Sequence, residues 1–215
     1  MLISHQSKFI FVHVQKTAGI SFESVLTRNF PDLMRWHGRH GFAREGAVEL
    51  GVERWSDFYS FGFVRNPWER LVSWYAMIDA ARLKLPLWKR WRTAPFQYKN
   101  WNEVYRKAKN FEQFVEKCTD VTWDNGCLKS FAFNQIDYLS DADGRILVDK
   151  IGRFENIAAD SAEIFSRLQI DDRLPHRNRS THRHYSEWYS DRVRDVVAER
   201  FSRDIEAFGY RFERV

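Results

Sequence analysis

Lys16, Thr17, Gly19 and Ser21 stand close together in the chain, and each is a type that can grip an anion. Lysine brings a mobile cation, the hydroxyls donate hydrogen bonds, and glycine lets backbone approach a ligand. A second set is Arg65-Asn66-Pro67-Trp68-Glu69-Arg70-Leu71-Val72-Ser73-Trp74-Tyr75. Here Arg65 offers a guanidinium fork and Ser73 a hydroxyl, a pair able to hold a second phosphate. Between the two sets, Trp36-His37-Gly38-Arg39-His40-Gly41 contains two histidines, the side chain best matched to taking a hydroxyl proton near neutral pH. Taken alone, each set also suits a structural role: a capped helix start with a solvated lysine, an internal ion pair at Arg65, exposed loop histidines.

Chemistry of this kind needs elements that aim it. Phe9 to Val14 is a nearly continuous apolar run that suits a strand buried on both faces. Ile20, Phe22, Val25 and Leu26 then take helical spacing to about Arg28. Phe58 to Val64 repeats the strand pattern, Asn66 follows as N-cap, and Pro67 opens a helix with Trp68, Leu71, Val72 and Tyr75 on one face. Two strand-to-helix units imply an α/β fold of three layers, a central parallel β-sheet flanked by helices, with both loops at the carboxyl ends of the strands. A loop leaving such a strand presents unpaired N–H groups and the positive helix end to an anion.

Further along, 83–101 is rich in Trp, Lys and Arg and reads as an excursion from the α/β core. Asn110 caps a helix carrying Phe111, Phe114 and Val115, and Asp124-Asn125-Gly126 marks a turn. Ile146 to Ile151 reads as a short strand and Ile157 to Leu168 as a helix. Pro175 to His184 reads as a basic loop. Ser190 caps one long helix with Val193, Val197, Phe201, Ile205 and Phe208 in period, ending near Gly209.

The chain has 215 residues, 34 basic against 29 acidic, and a hydrophobic fraction of 44%, which suits one folded domain over 1–215 and disfavours disorder or coiled coil. Its moderate basic excess is interspersed with acids, favouring an anionic ligand and no nucleic acid as partner. Cys118 and Cys127 are too few for a disulfide scaffold, so a reducing, cytoplasmic setting is expected, with a bridge between them left open. No stable membrane insertion, secretory signal or metal set is expected. A Walker A loop is missing, because Ile10 and Gln15 occupy its two glycine positions, which disfavours an ordinary nucleoside triphosphatase.

The two anion motifs in this order resemble the sulfotransferase family that uses 3'-phosphoadenosine 5'-phosphosulfate (PAPS). The likeness is to its carbohydrate branch, which includes heparan and chondroitin sulfotransferases and bacterial relatives. His13-Val14-Gln15-Lys16-Thr17-Ala18-Gly19-Ile20-Ser21 resembles the segment that holds the donor's 5'-phosphosulfate, departing from the pattern at Gln15, Ala18 and Ile20. Arg65 to Tyr75 carries the whole element that binds the 3'-phosphate. Gly152-Arg153-Phe154-Glu155-Asn156 and Asp204 to Phe212 extend the likeness over most of the chain.

The resemblance implies a P-loop-like fold, PAPS as donor, adenosine 3',5'-bisphosphate as product, and a carbohydrate or other hydroxyl-bearing acceptor. It implies donor contacts from Lys16, Thr17, Ala18, Gly19, Ile20, Ser21, Arg65 and Ser73, and from a late basic loop at Arg177, Asn178, Arg179 and Ser180. Lys16 would meet the charge growing on the leaving phosphate, and His40, with His37 as the alternative, would be the base. His13 is expected to pack or orient at the strand end. Arg153 and Glu155 suit an ion pair as well as a site. Trp88, Trp91 and Trp101 with Lys89, Arg90 and Arg92 suit either an acceptor platform or packing on the core. Two other classes compete: a nucleotide-dependent phosphotransferase (kinase) on a related fold, and an inactive glycan- or polyanion-binding module. Acceptor and oligomeric state are not written in these motifs.

Overall fold

The computed structural model describes residues 1–89, 91–175 and 183–215. Its elements in chain order are β1 (Leu2–Ser4), β2 (Phe9–Val12), α1 (Gly19–Asn29), β3 (Met34–Arg35), α2 (Ala43–Leu50), α3 (Val52–Trp55), β4 (Tyr59–Val64), α4 (Pro67–Leu83), α5 (Lys99–Lys107), α6 (Phe111–Lys117), β5 (Thr122–Asp124), β6 (Cys127–Lys129), α7 (Ile136–Leu139), β7 (Lys150–Arg153), α8 (Ile157–Arg167), α9 (Asp191–Arg200) and α10 (Ser202–Phe208). They form two compact units. One comprises Met1–Arg65, Asn125–Cys127 and Gln135–Arg179, the other Asn66–Asp124, Leu128–Asn134 and Ser180–Val215.

The first unit holds a five-stranded sheet in the order β3-β1-β2-β4-β7. β2, β4 and β7 run parallel, with Phe11 opposite Phe61 and Phe63 opposite Gly152. Strand alternation puts Phe9, Phe11, Phe61 and Phe63 on one face, where Phe22, Val25 and Leu26 of α1 and Ile164 and Phe165 of α8 cover them. Burying a side chain of this size contributes about 1.5–3 kcal/mol. On the other face Gly62 lies so close to Leu139 of α7 that any added Cβ would collide with it. Phe42 stacks on Tyr138 at 4.6 Å, tying the start of α2 to α7. This is the expected three-layer α/β arrangement around a mostly parallel sheet.

At the edge of the sheet β1 runs antiparallel to both β2 and β3. Only His5 to Lys8 joins β1 to β2, too few residues for a crossover, so an antiparallel pairing is the one the chain can make. The strand expected at Ile146–Ile151 also lies later, at Lys150–Arg153. Leu147 is instead held by Leu139 and by the Trp55 indole, which donates to its carbonyl at 2.8 Å.

In the second unit α4 is buried nearly all round its first turns, Arg70, Ser73 and Trp74 included, rather than on the single face its spacing suggested. α5, α6 and α9 all pack against it. The excursion is also more regular than expected, because α5 begins within it at Lys99. Asn110 caps α6 as expected, its side chain accepting from Gln113 N at 2.9 Å. The Asn125-Gly126 turn, which belongs to the first unit, has both φ values positive, 53° and 75°, the geometry of a tight hairpin turn.

The long helix after Ser190 is two helices. Asn134 inserts into the ladder: its Nδ2 donates to Arg200 O at 3.1 Å and its Oδ1 accepts from Asp204 N at 3.3 Å. Those two groups would bond each other in a continuous helix, so the side-chain amide breaks it at Phe201. Cys118 and Cys127 are both thiols, and burial pushes the Cys118 thiol up to about 12.

Candidate active site

β2 delivers its chain into the loop 13–18 and directly into α1. Lys16 and Ala18 both take the left-handed backbone region, at φ 69° and 64°. That region costs a non-glycine residue about 1–2 kcal/mol, and strain of this kind collects at ligand clamps. Ala18 occupies the N-cap position yet has no side chain to cap with, and no acid stands in the first turn of α1. The positive end of α1 is therefore not quenched by its own sequence. α4 differs: Asn66 Oδ1 accepts from Trp68 N at 3.0 Å and Glu69 N at 3.3 Å, and Glu69 adds an acid to the first turn. Of these two helix starts, α1 is the one prepared for an external anion.

Lys16 stands at that start, largely buried. Burial, then the neighbouring Arg65 charge, lower its pKa from 10.5 to about 8. Arg65 leaves the end of β4 and comes to the same loop, its Nη1 donating to the Lys16 carbonyl at 3.4 Å. Its guanidinium lies over the Phe154 ring at 4.0 Å, so the segment 152–156 reaches Arg65 through Phe154. The Arg65 backbone is clamped by Gln135, whose Oε1 accepts from Arg65 N at 2.9 Å and whose Nε2 donates to Arg65 O at 2.7 Å. Gln135 is a positioning residue that sequence reading missed, since a single glutamine before a short helix carries no spacing signal.

Thr17 is fully buried and donates its hydroxyl proton to Val14 O at 2.9 Å, so it braces the loop. Ser21 is buried, and its hydroxyl makes no hydrogen bond among the described residues. Ile20 is half exposed. Gly19 is required for a local reason: an added Cβ would overlap the His13 ring. Ser73 sits on the second turn of α4, buried, its hydroxyl without a hydrogen bond among the described residues.

The two histidine candidates part company. His40 Nδ1 lies 2.9 Å from the His13 carbonyl, and the rings meet edge-on at 4.5 Å. A carbonyl only accepts, so Nδ1 carries the proton and the lone pair of the neutral ring is on Nε2, the configuration of a base. His40 is thereby attached to the loop that carries Lys16. His37 Nε2 instead lies 2.9 Å from Glu49, beside the Trp36 ring. His13 is buried and its ring stacks on Phe11 at 5.6 Å, with burial and then the His40 charge holding its pKa well below the usual histidine value.

Arg177, Asn178, Arg179 and Ser180 lie outside the described residues. Trp88 and Trp91 are exposed, while Trp101 packs on Phe96 and Tyr98. No group of three or more His, Cys, Asp or Glu able to hold a metal occurs among the described residues. Nor is any helix there long and apolar enough to cross a membrane.

A three-layer α/β unit brings an open helix start, a desolvated lysine and a clamped arginine together at the carboxyl edge of its sheet, an arrangement suited to an anionic group. The family model described as "Sulfotransferase family" matches residues 1–211, and the chain belongs to that family, whose chemistry is sulfuryl transfer. Searches of curated proteins and of solved structures find no match.

Proposed function

We propose that the chain is a PAPS-dependent O-sulfotransferase of the carbohydrate type, acting as one domain on a hydroxyl of a carbohydrate or similar acceptor. One observation carries the reading: the unquenched start of α1 coincides with Lys16, whose ammonium is desolvated, and with Arg65. The donor fits there because the open N–H groups, the Ser21 hydroxyl and two cations complement phosphate and sulfate oxygens. When bound, the donor supplies an activated sulfuryl group for in-line displacement.

Lys16 neutralises the charge that grows on the departing phosphate, in a site dry enough for that charge to matter. Arg65 holds the 3'-phosphate, and this remote binding energy fixes the reacting end. His40 Nε2 takes the acceptor hydroxyl proton, with Nδ1–H anchored on the His13 carbonyl. Gln135 and Phe154 keep Arg65 in place. The test compares binding of adenosine 3',5'-bisphosphate with ATP plus magnesium, then follows labelled sulfate from PAPS into a panel of glycans. Preference for the bisphosphate and transfer that is lost in Lys16→Ala support the reading. Preference for ATP with phosphate transfer makes the chain a kinase, and tight bisphosphate binding with no transfer to any hydroxyl makes it a binding module.

A further inference from the structure

We infer that the segment bearing Leu83, Leu87, Trp88, Lys89, Trp91 and Arg92 docks the protein onto an anionic lipid surface. It departs from α4, and Leu85 is buried while Leu83, Leu87, Trp88 and Trp91 are exposed by 70%, 73%, 61% and 91%. A 3-10 turn at Leu87–Lys89 is closed by Lys89 N donating to Pro86 O at 2.9 Å, and Arg92 N donates to Lys89 O at 3.1 Å. Four large apolar side chains within nine residues are more than scattered surface apolarity accounts for.

The sequence interval that carries them holds charge of one sign. No acid occurs between Asp79 and Glu103, whereas Lys84, Lys89, Arg90, Arg92 and Lys99 fall in that interval, together with Arg82, which pairs with Asp79 at 3.1 Å. Lys89 Nζ and Arg92 Cζ each lie 5.1 Å from the centre of the Trp88 ring. Indoles and leucines rimmed by long cationic side chains match the boundary between acyl chains and anionic headgroups, where the apolar parts enter and the charged heads remain wet. An acidic polysaccharide would use the same cations. It has no use for Leu83 and Leu87, however, and a Trp88 ring already attended by two cations offers a sugar less free face for stacking. The lipid surface accounts for both the leucines and the charges.

The test is co-sedimentation with vesicles of phosphatidylcholine alone and of phosphatidylcholine with about one third phosphatidylglycerol. The protein should sediment with the second and barely with the first, and added salt should release it. Lys89→Ala/Arg92→Ala should weaken this binding about thirtyfold. Trp88→Ser/Trp91→Ser should abolish it, with the far-ultraviolet circular dichroism and melting of both variants unchanged because the side chains are exposed. On the unaltered protein, brominated phosphatidylcholine mixed into the anionic vesicles should quench tryptophan emission. Failure to sediment with anionic vesicles, sedimentation that survives both double variants, or absence of quenching overturns the inference. Binding to dextran sulfate but not to vesicles, lost in the lysine–arginine variant, overturns it in favour of a polysaccharide surface. None of these readouts depends on sulfate transfer.

Discussion

Binding of adenosine 3',5'-bisphosphate should draw in a proton above about pH 8, and Lys16 is the group that receives it. Burial and the Arg65 charge hold the Lys16 pKa near 8 instead of 10.5. A bound phosphate places negative charge beside that ammonium, opposes both causes and returns the group toward its ordinary value. The phosphates are already ionised, with a second pKa of about 6, and arginine stays charged throughout, so neither titrates in this window. Below pH 8 affinity should be flat. Above it the free protein must first be protonated, and affinity should fall by close to tenfold per pH unit.

At about pH 9 the expected uptake is about 0.9 proton, with roughly tenfold weaker binding than at neutral pH. Across the whole window the linkage amounts to about 3 kcal/mol. Isothermal calorimetry in buffers of different ionisation enthalpy measures the uptake directly. Lys16→Arg, always charged, should bind with no uptake and a flat pH profile. Unliganded stability should show the opposite sign. The unfolded chain keeps the Lys16 proton to higher pH than the folded one, so stability relative to Lys16→Arg should rise from pH 8 to about 10.5. Uptake near zero in the native protein, or equal uptake in the arginine variant, refutes the reasoning.

His40→Ala should reduce sulfate transfer by roughly 10²–10⁴-fold while leaving bisphosphate affinity nearly unchanged, and His37→Ala should keep most of the activity. The reverse ranking in a labelled-sulfate assay moves the base to His37. Ala18→Gly should raise the unfolding free energy by about 1 kcal/mol in urea titrations by relieving the left-handed backbone, and Gly19→Ala should lower it by about 1–3 kcal/mol through overlap with His13. Gln135→Ala leaves the Arg65 amide and carbonyl unmatched in a buried place. It should cost about 2–4 kcal/mol and weaken nucleotide binding, and a neutral result by both measures removes the clamp from the account.

Much of the candidate site was legible before any coordinates because its parts are local. A strand running into Lys16-Thr17-Ala18-Gly19, and another into Arg65-Asn66-Pro67, are contiguous patterns, and Asn66 caps α4 as its type and the following proline indicate. The parts that escaped reading are bonded across long gaps. Gln135 meets Arg65 from 70 residues away, and His40 meets the His13 carbonyl from 27 away. The same holds for the fold, where Asn134 splits the last long helix from 70 residues upstream of Asp204. Apolar periodicity in 191–208 is continuous through the break, so nothing in that segment announces it.

The amino-acid sequence by itself determined the layer architecture, the order of the two candidate anion-binding motifs and the family, because strand and helix periodicity and helix-start chemistry act between near neighbours. Tertiary structure alone decided which histidine joins the Lys16 loop, why Gly19 must be glycine, how Arg65 is held and how far the Lys16 charge is desolvated. Those outcomes depend on burial and on partners distant in the chain, and the free energy of a charge or a hydrogen bond is set by the surroundings that folding builds around it.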